Sequence, residues 1–221
     1  MGFPLREDET LDQLLSGKLK IIQKKKGYRF SLDALLLTDF VRISRGDEVI
    51  DLGTGSGVIP LILAKKSPAK RIVGVEIQKE LAEMALRNVQ LNALEDKITI
   101  LHRDLRKLPG ELTAGSFALV LSNPPYRTGS SGRLNPNPEK AVARHELTCS
   151  LEELLKVAGY LLKPKGRLAL IYSAPRLADL IAGLRKEKLE PKRLRLIHPD
   201  SDTKAKLVLI EASKGGKVEL E

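Results

Sequence analysis

From residue 47 to residue 212 the sequence alternates short apolar runs with longer segments of helical periodicity, and that alternation admits few folds. The runs are EVIDLG, RIVGVE, ITILHRD, FALVLSN, RLALIY, RLRLIH and KLVLIEA. Between them lie VIPLILAKKS, QKELAEMALRNVQLN, SLEELLKVAGYLLKPKG and RLADLIAGLRKEK, each with apolar residues spaced for one helix face. Ser150 and Glu153 give the third of these a capping-box start. Strands alternating with helices predict an α/β fold with a doubly wound, mainly parallel sheet of seven strands. The connection between the last two strands is too short for a helical crossover, so the final strand is expected to run antiparallel.

Residues 1–45 read as an N-terminal extension packed on a core of residues 46–221. The pattern predicts a short helix at LDQLL, a hairpin of LKIIQ and YRFS around a Lys-Lys-Lys-Gly turn, and a helix over SLDALLLTDFVRI. In that last helix Ser31 stands at the N-cap position, and Leu32, Leu35, Leu36 and Phe40 follow at helical spacing. The stretch RTGSSGRLNPNPEK (127–140) reads as a loop.

Charge narrows the partners. A formal net charge of +10 attracts polyanions, nucleic acid above all. The charge is clustered: Lys18, Lys20, Lys24, Lys25, Lys26 and Arg29 follow one another with no acid between them. Lys24, Lys25 and Lys26 are therefore candidate RNA contacts, with a solvated face as the plainer alternative. No run of about 18 apolar residues is present, which argues against a membrane span. The one cysteine, Cys149, allows no internal disulfide and fits a cytoplasmic location. No cluster of metal-ligating residues stands out, and no metal is implied.

Four strand ends carry polar chemistry. In VIDLGTGSGV the first strand ends at Asp51, and Gly53, Gly55 and Gly57 permit a tight turn into the next helix. Neither register of these glycines gives Gly-x-Gly-x-x-Gly, because Val58 or Pro60 stands at the third position, so a dinucleotide pyrophosphate site is disfavoured. Glu76 ends the second strand, placed to accept the two hydroxyls of a ribose, or else is a solvated acid. Asp104 ends the third, placed to accept from an exocyclic amine while the backbone of Leu105 reads a ring nitrogen; a turn cap is the plainer reading. The fourth runs into Asn123, Pro124, Pro125 and Tyr126, where two prolines stop the strand and stiffen a corner. In an open parallel sheet all four carboxyl ends line one crevice.

This combination resembles the class I S-adenosylmethionine-dependent methyltransferases, a Rossmann-like family, over residues 30–212. The resemblance implies S-adenosyl-L-methionine as cofactor, with DLGTGSG (Asp51, Gly53, Thr54, Gly55, Ser56, Gly57) as its loop. It makes Glu76 with Ile77 the ribose side, and Asp104 with Leu105 the adenine side. Asn123-Pro124-Pro125-Tyr126 matches the amino-methylating motif of that family, with Asn123 also bordering the cofactor. An exocyclic amine delocalises its lone pair into the ring and is a poor nucleophile. Acceptors at the Asn123 side chain and the Pro124 carbonyl would favour pyramidal nitrogen, and Tyr126 would stack on the flipped target.

QKKKGYRFSLDALLLTDF and NPEKAVARHELTCSLEELLKVAGYLLKPKGRLALIY are similar to segments of the bacterial tRNA(Val) adenine-N6 methyltransferases. That resemblance implies tRNA as partner and the adenine 3′ of the anticodon as target. By it Phe30, Ser31 and Asp33 border the cofactor, and Arg144 and His145 lie on the substrate side, with Arg127 and Arg133 facing phosphates. Asp33 as a first-turn acid and His145 as a structural histidine are the plainer readings. Three other functions stay open at this point: protein glutamine-N5 methylation, rRNA guanine-N2 methylation and a non-catalytic RNA-binding module.

Overall fold

A computed structural model describes residues 5–26, 29–124 and 149–221. Nine strands are described. Two, β1 (Glu9–Leu14) and β2 (Leu19–Lys24), form a separate antiparallel hairpin. The other seven are β3 (Glu48–Leu52), β4 (Arg71–Glu76), β5 (Ile98–His102), β6 (Phe117–Ser122), β7 (Leu162–Ser173), β8 (Leu189–Ile197) and β9 (Leu207–Lys214). They form one sheet in the order β5-β4-β3-β6-β7-β9-β8. Pairing from β5 through β7 is parallel, and β9 lies antiparallel to both β7 and β8. The expected sheet and its antiparallel last strand are present, with β9 inside the sheet and β8 at its edge. Pro191, which cannot donate to a ladder, sits on that edge strand.

Helices cover both faces. On one lie α1 (Leu32–Phe40), α2 (Val58–Lys66) and α3 (Lys79–Leu91). There Leu37, Leu61, Ile62 and Ala85 pack on Val49, Ile72 and Leu119. On the other lie a short helix α4 (Leu108–Glu111), α5 (Leu151–Leu161) and α6 (Leu177–Lys186), with Leu155, Ala158 and Leu180 against Ile50, Val73 and Val120. Val49 and Ile50 belong to opposite cores because successive strand residues face opposite ways. The capping box of α5 forms: Glu153 N donates to Ser150 Oγ (3.2 Å) and Ser150 N to Glu153 Oε2 (2.8 Å).

Three local expectations are corrected. LDQL of LDQLL is strand, in β1, and Leu15 opens the turn, so the segment is not a helix; its leucines have helical spacing, but pairing with β2 decides the conformation. The hairpin turns at Leu15, Ser16 and Gly17, all at positive φ (52°, 55°, 84°), and not at the lysines, of which Lys24 ends its second strand and Lys25 and Lys26 follow it. Arg29–Ser31 is therefore not a strand, and α1 stops at Phe40 with no side-chain hydrogen bond from Ser31.

The hairpin docks on α3 through two asparagines four residues apart. Asn88 Oδ1 accepts from Ile22 N (2.6 Å) and its Nδ2 donates to Ile22 O (3.0 Å); Asn92 does the same for Lys20 (2.9 and 2.7 Å). Four residues of helix rise about 6 Å. Two residues of strand rise nearly 7 Å, so the two amides match alternate residues of β2 and satisfy the edge that faces away from β1. Arg87 adds a bidentate pair to the buried Glu9 (2.6 and 2.9 Å).

Candidate functional site

The parallel strands β3, β4, β5 and β6 deliver their carboxyl ends to one edge of the sheet, and a cavity of about 340 Å³ opens there. Gly57, at φ +83°, turns the chain into α2; a Cβ there would lie 3.2 Å from that of Ala85, so both backbone and packing select glycine. Gly53 and Thr54 donate from their backbones to Val75 O at 2.9 Å, tying the loop to β4. The buried Glu76 carboxylate completes the tie: Oε2 accepts from Gly55 N and Oε1 from Gln78 N, both at 2.9 Å. Each oxygen keeps a lone pair beyond those bonds. Asn88 Nδ2 donates to Ser56 O (3.0 Å), so the same amide that holds the hairpin holds the glycine loop.

Ten of the fourteen sequence-proposed cofactor residues line this cavity: Phe30, Ser31, Asp33, Gly53, Gly55, Glu76, Ile77, Asp104, Leu105 and Asn123. Asp51, Thr54, Ser56 and Gly57 do not; Asp51 lies behind the loop, and the other three belong to the loop itself. Asp51 pairs with Gly74 in the register, two residues short of Glu76, which puts it nearly 7 Å deeper along the sheet. Its carboxylate oxygens, with the hydroxyls of Thr54 and Ser56, are buried without a hydrogen-bond partner among the described residues. Burial pushes the Asp51 carboxyl up to about 7, against an opposing pull from the Thr54 hydroxyl and with a further push from Glu76.

The cavity is also lined by residues that strand-end reasoning passes over, including Arg29, Arg106, Cys149, Leu154 and Tyr172. Arg106 folds back on Asp104. Its Nε and Nη2 reach the carboxylate at 2.6–3.0 Å, and its backbone N donates to Oδ1 at 2.9 Å. Asp104 thus caps a single 3-10 turn, and the guanidinium holds its carboxyl below the usual range. Burial, reinforced by the Glu153 charge, pushes the Cys149 thiol up to about 12, which makes it a poor nucleophile. Tyr172, next to the last residue of β7, has its hydroxyl accepting from Arg176 (2.9 Å). The alternation of β7 could have flagged Tyr172; nothing in the sequence signals the return of Arg106.

Asn123 and Pro124 stand at the end of β6, half-buried and on the cavity wall. Pro125, Tyr126, Arg127, Arg133, Arg144, His145 and the 127–140 stretch lie outside the described residues. Among the proposed RNA contacts, Lys24 is ion-paired to Asp8 (2.6 Å) and reaches Glu80 (3.9 Å), while Lys25 and Lys26 are exposed. No helix among the described residues is long and apolar enough to cross a membrane.

The family model described as methyltransferase small domain matches residues 31–179. A tRNA1(Val) (adenine(37)-N6)-methyltransferase of Porphyromonas gingivalis is 41% identical over 133 residues, 59% of this chain and 51% of that protein. The chain thus spans about half the length of that relative. The protein of the same name from Parabacteroides distasonis is 30% identical over 197 residues, covering 89% of this chain and 81% of its own. Among solved structures, a predicted O-methyltransferase from Agrobacterium tumefaciens superposes with a TM-score of 0.69 at 26% identity, over 86% of this chain and 84% of that one. A geranyl diphosphate methyltransferase in complex with GPP and sinefungin (TM-score 0.63, 15% identity, 82% and 76% covered) shares the fold.

Proposed function

The chain belongs to the methyltransferase small-domain family, and from that premise we propose that it transfers the methyl group of S-adenosylmethionine to the exocyclic N6 of an adenine in RNA. The target we propose is tRNA, at the adenine beside the anticodon, in keeping with the names of its relatives. The observation that carries the reading is that Glu76, Asp104 and Asn123–Pro124, from three different strand ends, line one cavity.

The residues present fit the cofactor. The buried Glu76 has lone pairs left for ribose hydroxyls once its two backbone N–H bonds are counted. Asp104 and the backbone of Leu105 suit the adenine edge, with Arg106 sharing the carboxylate. The acid-lined pocket, with Glu76 and Asp104 on its wall, complements a cation. When bound, S-adenosylmethionine supplies an electrophilic methyl on a sulfonium centre.

The chain's own part is to make the nitrogen nucleophilic. The Asn123 side-chain oxygen and the Pro124 carbonyl accept the two N–H bonds of the amine, withdrawing its lone pair from the ring and aiming it at the methyl. The same fixed acceptors stabilise positive charge as it grows on nitrogen. No strong base is needed, because the methylated ammonium is acidic and gives its proton to water.

Unmodified tRNA incubated with protein and labelled cofactor, digested to nucleosides and weighed by mass spectrometry, is expected to yield N6-methyladenosine. N2-methylguanosine, or label found only in protein glutamine, overturns the assignment. Asn123→Ala is expected to lower turnover by about a hundredfold or more, far more than it weakens S-adenosylhomocysteine binding. Near-normal turnover in that variant would remove the acceptor role.

A further inference from the structure

The family match begins at residue 31, and the β1–β2 hairpin precedes it. Yet the hairpin reaches the cavity. Gln23, buried to 3% exposure on β2, accepts from Phe30 N through Oε1 (3.0 Å) and donates through Nε2 to Asp12 Oδ2 on β1 (2.7 Å). The same Asp12 oxygen accepts from Arg29 Nη2 (2.7 Å), and Arg29 Nη1 donates to Thr10 Oγ1 and to Lys24 O, both at 3.0 Å.

Arg29, Phe30 and Ser31 are the segment so held, and all three line the cavity. They have no strand partner and precede the first turn of α1, whose cap position makes no side-chain hydrogen bond. Regular structure therefore does not fix this wall. A buried primary amide does, because it alone offers an acceptor to one segment and a donor to the other.

We infer that Gln23 and Asp12 are positioning residues that hold the Arg29–Ser31 wall of the cavity in its binding geometry. They act through the backbone of Phe30 and the guanidinium of Arg29, and touch no substrate. The inference rests on reading the cavity as the S-adenosylmethionine site. It assigns the hairpin a part in that site which neither the family match nor the glycine loop supplies. If the wall must order during binding, fixing even one residue's backbone lowers affinity by roughly tenfold.

The test uses the full chain and S-adenosylhomocysteine as probe, with two readouts: calorimetric Kd, and amide exchange at Phe30 in the ligand-free protein. Gln23→Ala is expected to raise Kd about tenfold and to speed Phe30 exchange, with kcat at saturating cofactor changed less than KM for cofactor. Asp12→Asn keeps a carbonyl oxygen that can accept from both Gln23 Nε2 and Arg29 Nη2, whereas Asp12→Ala removes the acceptor. Asp12→Asn is expected to keep Phe30 protection and most of the affinity and Asp12→Ala to lose both, a split that a general loss of stability would not give. Unchanged Kd and unchanged Phe30 exchange in Gln23→Ala overturn the inference, as does an Asp12→Ala variant no worse than Asp12→Asn. Failure of the wild-type protein to bind the probe overturns the cofactor reading instead, and Phe30 exchange then still decides whether Gln23 holds the wall.

Discussion

Replacing Asn88 with alanine separates a fold-bearing amide from a decorative one. Asn88 is fully buried and makes three hydrogen bonds: from Ile22 N (2.6 Å), to Ile22 O (3.0 Å) and to Ser56 O (3.0 Å). Truncation strands one N–H and two carbonyls on residues that are themselves 0–1% exposed. An unsatisfied buried group costs roughly 1–3 kcal/mol, and carbonyls tolerate a missing partner better than N–H groups. The sum, allowing for water entering the small space left, is about 3–5 kcal/mol. That is a large share of the ~5–15 kcal/mol by which domains are stable, and at this chain length it lowers Tm by roughly 10 °C. Asn92→Ala is the internal control. It removes the same pair of bonds from Lys20, but Lys20 is exposed and water replaces the amide, so about 1 kcal/mol is expected. Urea unfolding of both variants, with m unchanged from wild type, measures the difference. Equal costs for the two, or less than about 1 kcal/mol for Asn88→Ala, would refute the claim that these amides satisfy the outer edge of β2 in place of a strand.

Two further outcomes follow from charge. The Asp51 carboxyl stands at about 7 in the fold against 3.8 for an ordinary one, so the native state holds its proton longer than the unfolded chain. Its penalty is absent below about pH 4, grows as pH rises to about 7 and is constant above, reaching at most about 4 kcal/mol. Asp51→Asn is therefore expected to raise Tm at pH 8 and to lose that advantage by pH 4; a gap independent of pH, from melts across that range, would contradict it. At the hairpin, Lys25→Gln and Lys26→Gln are expected each to reduce the salt slope of RNA binding by roughly one counterion, and Lys24→Gln, whose ammonium is already paired to Asp8, by less. Filter binding across a salt series measures this, and equal slopes for wild type and the Lys25 and Lys26 variants would assign both lysines to solvent.

The sheet was legible because its signal is local and redundant. Each parallel strand is an apolar run read without knowing its neighbours, and parallel pairing then brings the four strand ends to one edge. The N-terminal segment was misread because its signals are ambiguous at that range. Leu11, Leu14 and Leu15 have the spacing of a helix face, and Lys-Lys-Lys-Gly imitates a turn. What fixes β1 and β2 is Asn88 and Asn92, which lie more than sixty residues away along the chain.

The same distinction divides the site. Asp51, Glu76 and Asp104 are alike in the sequence, each an acid near a strand end. Depth along the sheet puts Asp51 behind the loop, and a guanidinium two residues on occupies Asp104, while only Glu76 combines burial with a place on the cavity wall. Side-chain type at a strand end therefore locates the crevice, but the role of each acid depends on register and on neighbours that periodicity does not report. The Arg29–Ser31 wall is the extreme case. Phe30 owes its place to Gln23 and Arg29 to Asp12, polar residues in strands that pattern reading treats as packing units, because a buried amide looks the same in sequence whether it closes a core or holds a site.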